Sequence, residues 1–271
     1  MFDIHIHSYC SDGSDAPAVV AENAKAAGLD LFALTDHDTV IGLEEAENRA
    51  RELGLPFITG CEIEADYEDT LHILALGIDR ENSDFKALME RKIIIRDERN
   101  EKLTARLAEL GMDVSSELES SRGATTRANY AEALVKLGHA KNTTEAFDRI
   151  IGRGQIAFIK QQHPSPEEVV EIVRAAGGLS VIAHPMKMKL DPARLIADMK
   201  RLGFHGVEAF YGTATEGEHR LFATLARQNG LFVTCGSDFH GARRPRTHIG
   251  KGWQECEELK KAERLLLGMV K

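Results

Sequence analysis

The sequence is short of several things, and each shortage excludes a class of protein. Only four cysteines occur in 271 residues, at positions 10, 61, 235 and 256. They form no C-x-x-C pair and are too few for a disulfide framework in a chain this long, so a reducing compartment is expected. No stretch approaches the roughly 20 continuous apolar residues that a membrane span needs. The first residues, Met1-Phe2-Asp3-Ile4-His5-Ile6-His7, carry neither a basic n-region nor an apolar h-region. A cytoplasmic protein without a membrane partner is therefore expected. Basic residues are outnumbered, 34 Lys and Arg against 43 Asp and Glu, for a formal charge of −9. That balance excludes a broad surface for duplex nucleic acid, though not a small local phosphate site.

What is present is a globular composition, 43% hydrophobic and 28% charged, of a length that suits one α/β barrel. The 11 histidines stand beside a carboxylate excess, the pair of residue types that a metal site consumes. Apolar runs alternate with helical patterns, which predicts βα units and a largely parallel sheet. Strands are expected over 2–7, 31–34, 57–63, 71–78, 179–183, 206–210 and 231–235. Helices are expected over 16–27, 42–53, 192–202, 216–229 and 255–267, and another begins at Ser165 as N-cap with Pro166 in its first turn. Between residues 83 and 154 the pattern is helical throughout. Barrel segments 1–82 and 155–271 are thus expected to flank a helical insertion at 83–154, a candidate lid.

Histidines and carboxylates gather where these strands end, the edge on which such folds build active sites. His5 and His7 are two apart and share a face. Ser11-Asp12-Gly13 follows, then Thr35-Asp36-His37-Asp38, Gly60-Cys61-Glu62, His72, Ala183-His184-Pro185 and Gly236-Ser237-Asp238-Phe239-His240. Each motif alone is weak; six histidines and three carboxylates at strand ends form a pattern that chance explains poorly. His139, His163, His205, His219 and His248 fit no motif and are expected as surface or capping residues. Cys10, Cys61 and Cys235 are expected as small buried apolar groups, and the run from Glu90 to Lys102 as a solvated helix face.

In this order, across nearly the whole chain, the motifs resemble those of the polymerase and histidinol phosphatase (PHP) domains. The H-S-x-x-S-D-G, T-D-H-D-T, G-x-E, A-H-P and G-S-D-F-H elements look most like the stand-alone TrpH/YciV-like phosphoesterases. That resemblance implies a distorted (β/α)7 barrel and an enzyme acting on nucleotide 3′,5′-bisphosphates or, as a 5′-to-3′ exoribonuclease, on short RNA. It also implies nine metal ligands: His5, His7, Glu62 and Asp238 on one ion, Glu62, His72 and His184 on a second, and Asp12, His37 and His240 on a third. Mixed nitrogen and carboxylate ligands suit Mn²⁺, Fe²⁺ or Zn²⁺ better than Mg²⁺. Three divalent ions over three carboxylates leave a pocket of about +3, which attracts phosphate. A hydroxide bridging two such ions would attack phosphorus in line.

Outside the ligands, Asp36 and Asp38 either orient ligand imidazoles or cap a turn. Lys187 is the first candidate for holding the substrate phosphate, in a loop where family members often carry Arg. Arg127, Lys160 and Arg153 follow it. The alternatives are a histidinol-phosphate phosphatase, a C–N hydrolase of the amidohydrolase kind, and a metal-binding module without catalysis.

Overall fold

The computed structural model describes residues 1–118 and 125–270. Residues 119–124, within the expected insertion, and Lys271 lie outside the described residues. The chain forms two compact units, Met1–Met89 with Pro164–Lys271, and Glu90–His163.

The first unit holds one seven-stranded sheet whose spatial order follows the chain: β1 (Phe2–Asp3), β2 (Leu31–Leu34), β3 (Phe57–Asp66), β4 (Thr70–Leu76), β5 (Leu179–Ile182), β6 (Gly206–Tyr211) and β7 (Phe232–Gly236). A parallel bridge between Ile6 and Phe239 joins the segments just beyond β1 and β7. The sheet is therefore a nearly closed, distorted (β/α)7 barrel. Strand β2 is buried on both faces, as a parallel strand covered by helices must be. Apolar side chains from every part of the barrel, among them Phe2, Ile63, Ile73, Val181, Val207 and Val233, make one core. Each such fully buried side chain contributes about 1.5–3 kcal/mol.

The helices run in chain order: α1 (Pro17–Ala26), α2 (Leu43–Glu52), α3 (Ser83–Glu109), α4 (Ser115–Leu118), α5 (Arg127–Lys136), α6 (Thr143–Ala146), α7 (Pro166–Ala175), α8 (Pro192–Arg201), α9 (Glu216–Gln228) and α10 (Glu257–Leu267). Their ends follow the local chemistry. The Glu168 amide donates to Ser165 Oγ at the start of α7 (3.3 Å), and Gly177 follows its end with φ +76°. In the second unit Leu103 and Leu107 of α3 pack with Tyr130 and Leu134 of α5 and with Ile150 and Ile151. Those last two lie on a π-turn that continues α6. Among the described residues no helix is long and apolar enough to cross a membrane.

Three expectations need correction and a fourth needs detail. The first strand stops at Asp3, because the next amides leave the ladder: His5 N donates to Asp3 Oδ1, Ile6 N to Thr35 Oγ1 and His7 N to Phe239 O. The sheet is largely parallel as expected, with β4 the exception, antiparallel to both β3 and β5. The run from Glu90 to Lys102 is not wholly solvated: Lys92 is 1% and Arg99 6% exposed, and Lys92 Nζ lies 2.8 Å from His163 Nδ1. His219 is buried, with Nε2 3.0 Å from the Tyr211 carbonyl and Nδ1 3.1 Å from Gln254 Nε2. Burial of Lys92 and His219 is possible because each has a partner.

Candidate metal centre

Glu62 lies in the middle of β3, fully buried, and is the hub of the site. Its Oε1 is 2.8 Å from His72 Nδ1 and 2.9 Å from His184 Nε2. Its Oε2 is 3.2 Å from His5 Nε2, 3.3 Å from His7 Nε2 and 3.1 Å from His37 Nδ1. Asp238 Oδ1 lies 3.3 Å from His7 Nε2 and 3.6 Å from His5 Nε2. Asp12 approaches His240 Nε2 at 3.2 Å and His37 Nε2 at 3.7 Å. All nine residues are thus brought together, although they come from different kinds of strand position. Because β4 is reversed, His72 reaches this edge from near the start of its strand, whereas His184 and Asp238 follow the ends of β5 and β7.

Four overlapping groups place their nitrogen and oxygen atoms within 4.8 Å of one another: His7, Asp12, His37 and His240; His5, His7 and Asp238; His5, Glu62 and His184; and His37, Glu62 and His72. Several of these atoms, His5 Nε2, both ring nitrogens of His7, Glu62 Oε2 and His240 Nε2, are buried without a hydrogen-bond partner. An unsatisfied buried polar group costs about 1–3 kcal/mol. Several aimed at one place form a donor set that fits divalent cations, in the mixture of imidazole and carboxylate that transition metals accept.

The backbone is strained at the same place. Among the described residues the non-glycine positions with positive φ are Asp38 (50°), His184 (29°) and Asp238 (55°). Each such conformation costs of the order of 1–3 kcal/mol. The aspartates beside His37 tie distant segments of the site together and do not cap a local turn: Asp36 accepts from Ser8 N, Ser8 Oγ and Ser11 Oγ, and Asp38 accepts from Glu64 N. Burial pushes the Asp36 carboxyl up to about 6.

Electrostatics divide the ligand-type residues. Burial alone would raise the carboxyls of Asp12, Glu62 and Asp238, but the surrounding imidazoles, with Lys187 at Asp238, hold all three well below the usual range. Burial lowers His5, yet the carboxylates of Glu208, Glu62 and Asp238 outweigh it and hold this imidazole well above its ordinary value. Burial and His240 push His7 well down, and burial with Lys187 brings His184 to about 3. Low proton affinity at a histidine favours the neutral ring that binds metal.

A cavity of about 290 Å³ opens beside the cluster, lined by His37, Glu62, His72, His184, Lys187 and Arg244 among others. Lys187 Nζ is 3.0 Å from Asp238 Oδ2 and 4.5 Å from the centre of the Tyr211 ring. Arg244 Nη1 and the Tyr211 hydroxyl donate to the same oxygen. Arg127, Arg153 and Lys160 belong to the second unit, where Arg127 opens α5.

The sequence reading missed Arg244, Tyr211, Asp3 and Glu208. A base in the loop after Asp238-Phe239-His240 was the available signal for Arg244. For Glu208 it was a lone charge in the apolar strand Gly206-Val207-Glu208-Ala209-Phe210-Tyr211. Asp3 was visible in the same way; it is buried, accepts from the amides of His5, Ser237 and Gly250, and burial pushes its carboxyl up to about 6.

Comparison with known proteins agrees with this geometry. The PHP domain model matches residues 3–175. A 5′-3′ exoribonuclease of Haemophilus influenzae is 34% identical over 247 residues, 88% of this chain and 89% of that protein. A 3′,5′-nucleoside bisphosphate phosphatase of Chromobacterium violaceum is 33% identical over 246 residues, 88% of this chain and 86% of its own. A solved structure of an amidohydrolase from Chromobacterium violaceum, with bound sulfate and no metal, superposes with a TM-score of 0.91 at 30% identity, covering 100% of this chain and 97% of that one. With fold, cluster and likeness in agreement, the chain belongs to the PHP domain family and is a metal-dependent phosphoesterase within it.

Proposed function

We propose that this site hydrolyses phosphate monoesters or short phosphodiesters of nucleotides, with 3′,5′-bisphosphates, 5′-monophosphates and the 5′-phosphorylated ends of short oligonucleotides as the substrate class. The observation that carries this is the set of partnerless buried nitrogen and oxygen atoms beside a cavity rimmed by Lys187 and Arg244. Three ions are proposed, drawn from Mn²⁺, Fe²⁺ or Zn²⁺. His5, His7, Glu62 and Asp238 would hold the first, Glu62, His72 and His184 the second, and Asp12, His37 and His240 the third. Bound divalent ions supply charge for the phosphoryl oxygens and lower the pKa of a water.

The protein groups divide the remaining work. Lys187 and Arg244, which share a unit with the ligands, anchor the substrate phosphate by exchanging Asp238 Oδ2 for its oxygens. Tyr211 keeps its hydrogen bond to Asp238 and holds that carboxylate in place. The fully buried rings of His5 and His7 keep bulk water from the innermost side. The domain reading, a barrel from 1–82 and 155–271 around an insertion at 83–154, finds support in the division into two compact units, though the second unit spans 90–163. Four free cysteines fit the reducing cytoplasm proposed as its location.

Phosphate release by Mn²⁺-loaded protein should be screened across adenosine 3′,5′-bisphosphate, nucleoside monophosphates, short 5′-phosphorylated RNA and histidinol phosphate. Turnover of the nucleotide substrates, lost in His184→Ala and Asp238→Ala variants that remain folded, is the expected result. Preference for histidinol phosphate, or full activity in both variants, would overturn the assignment.

A further inference from the structure

We propose that Glu208 is a positioning residue whose two carboxylate oxygens fix two metal ligands at once, the ring of His5 and the backbone of His184. The inference rests on the reading of His5 and His184 as ligands and adds a residue to it. Glu208 is the third residue of β6, completely buried in a strand with no other charged side chain. Its Oε1 lies 2.9 Å from His5 Nδ1, and its Oε2 accepts the backbone N–H of His184 at 2.7 Å.

Both partners must be donors. A neutral histidine that binds metal through Nε2 carries its proton on Nδ1, and the group receiving that proton sets the ring's tautomer and orientation. His5 points Nε2 at Glu62 and Asp238, so its Nδ1 faces Glu208 as a donor. The amide of His184 can only donate. An ionised carboxylate, which accepts at both oxygens, is the side chain that satisfies the two together.

The surroundings are shaped for this contact. His184 sits at φ 29°, outside the ordinary basins, and Pro185 further disfavours the right-handed helical one. The hydrogen bond from its amide to Glu208 pins that conformation while the ring reaches Glu62 Oε1 at 2.9 Å. On β7, a Cβ at Gly236 would lie 2.1 Å from Glu208 Oε1 and 2.4 Å from His5 Cβ, so the absence of a side chain there makes the room. The pairing of β6 with β7 shifts register between Glu208 and Phe210, the kind of bulge that re-aims a side chain beside a site.

Glu208→Gln keeps the shape and removes the double acceptor. If the amide oxygen takes the His184 N–H, the amide NH2 must donate to His5 Nδ1, which drives the ring proton to Nε2, the ligating atom. If the oxygen takes His5, the NH2 faces the N–H of His184, donor against donor. Either way one of two proposed ion pockets loses its ligand geometry. The pocket of Asp12, His37 and His240 makes no hydrogen bond to Glu208 and should keep its ion.

The test is zinc titration of wild-type and Glu208→Gln protein by equilibrium dialysis with elemental analysis, with circular dichroism and melting temperature recorded alongside. At limiting zinc the variant should fall from about three ions per chain towards about two, with affinity for the lost ion reduced roughly 10–100-fold. A purely structural role would lower the melting temperature and leave zinc affinity unchanged, and that result would overturn the inference. Nitrogen-15 spectra of zinc-loaded wild-type protein decide the matter even if the variant fails to fold. A proton on His5 Nδ1 is expected there, and an unprotonated Nδ1 would overturn it. Wild-type protein that takes up no zinc would instead refute the ligand reading, and this inference with it.

Discussion

The two edges of the barrel solve the same geometric problem in opposite ways. At the edge where β2, β3, β5, β6 and β7 begin, the preceding helices turn back through Gly28, Gly54, Gly177, Gly203 and Gly230, with φ between +59° and +88°. Glycine adopts that conformation with little strain. At the other edge, beside Gly241, positive φ also falls on Asp38, His184 and Asp238, whose side chains all make contacts in the site. Where the chain needs only to turn, glycine serves; where a side chain of the site must be presented, as at the proposed ligands His184 and Asp238, it is retained and the strain accepted. The first edge is built for stability and the second for chemistry, so substitutions should separate the two properties.

The largest separation is expected for Asp238→Asn. Asparagine tolerates the left-handed backbone, so the melting temperature should stay within a few degrees while activity falls roughly 10²–10³-fold or more. A parallel loss of stability would break the comparison.

Metal removal should act next. Chelated protein should lose activity and melt lower, and Mn²⁺ should restore both, because ligand at about 100 times its Kd stabilises the fold by about 2.7 kcal/mol. This increment should shrink as pH falls. His5 is held well above its ordinary pKa by carboxylates that outweigh burial, so an ion must displace its proton, and metal affinity rises with pH. Melting curves with and without Mn²⁺ from about pH 8 to about pH 5 measure this; an increment constant with pH would contradict it.

At the glycine edge, Gly28→Ala and Gly177→Ala should each cost about 1 kcal/mol, or about 2–4 °C in melting temperature, without changing kcat. A Cβ at either position meets nothing within 4 Å, which leaves backbone strain as the whole effect. The smallest effect is expected at Lys187, which is partly exposed and shares Asp238 with Arg244. Lys187→Arg should change KM only about two- to fivefold, by replacing a point charge with a fork, and Lys187→Ala should raise KM more than it lowers kcat.

Much of this division was legible in the sequence because its markers are local. Gly28, Gly54 and Gly177 end helices, Ser165 and Pro166 begin one, and β2 spans the four residues its apolar run predicts. Strand direction is not local. Alternation in Leu71 to Leu76 reads the same in either sense, so the reversal of β4, which brings His72 to the site from its strand's beginning, was invisible. The contraction of β1 escaped for a similar reason: its ladder is lost to partners distant in sequence, Thr35 and Phe239. At the site, the residues in recognisable motifs are legible in the sequence, and those that touch them from elsewhere are not. Arg244 and Tyr211 matter because of Asp238, and Glu208 because of His5 and His184, relations that only the folded chain displays. The buried Lys92 and Arg99 show the same limit in the second unit, where a run rich in charge does not announce which charges face inward.

Glu62 reaches five of the six histidines of the cluster with its two oxygens. A hub of that kind leaves no redundancy. Damage at Asp12 would strip one proposed pocket, whereas a single altered codon at Glu62 would take a ligand from two and a contact to His37 from the third, while sparing the apolar barrel around it. Inheritance of activity is therefore all-or-none at this position.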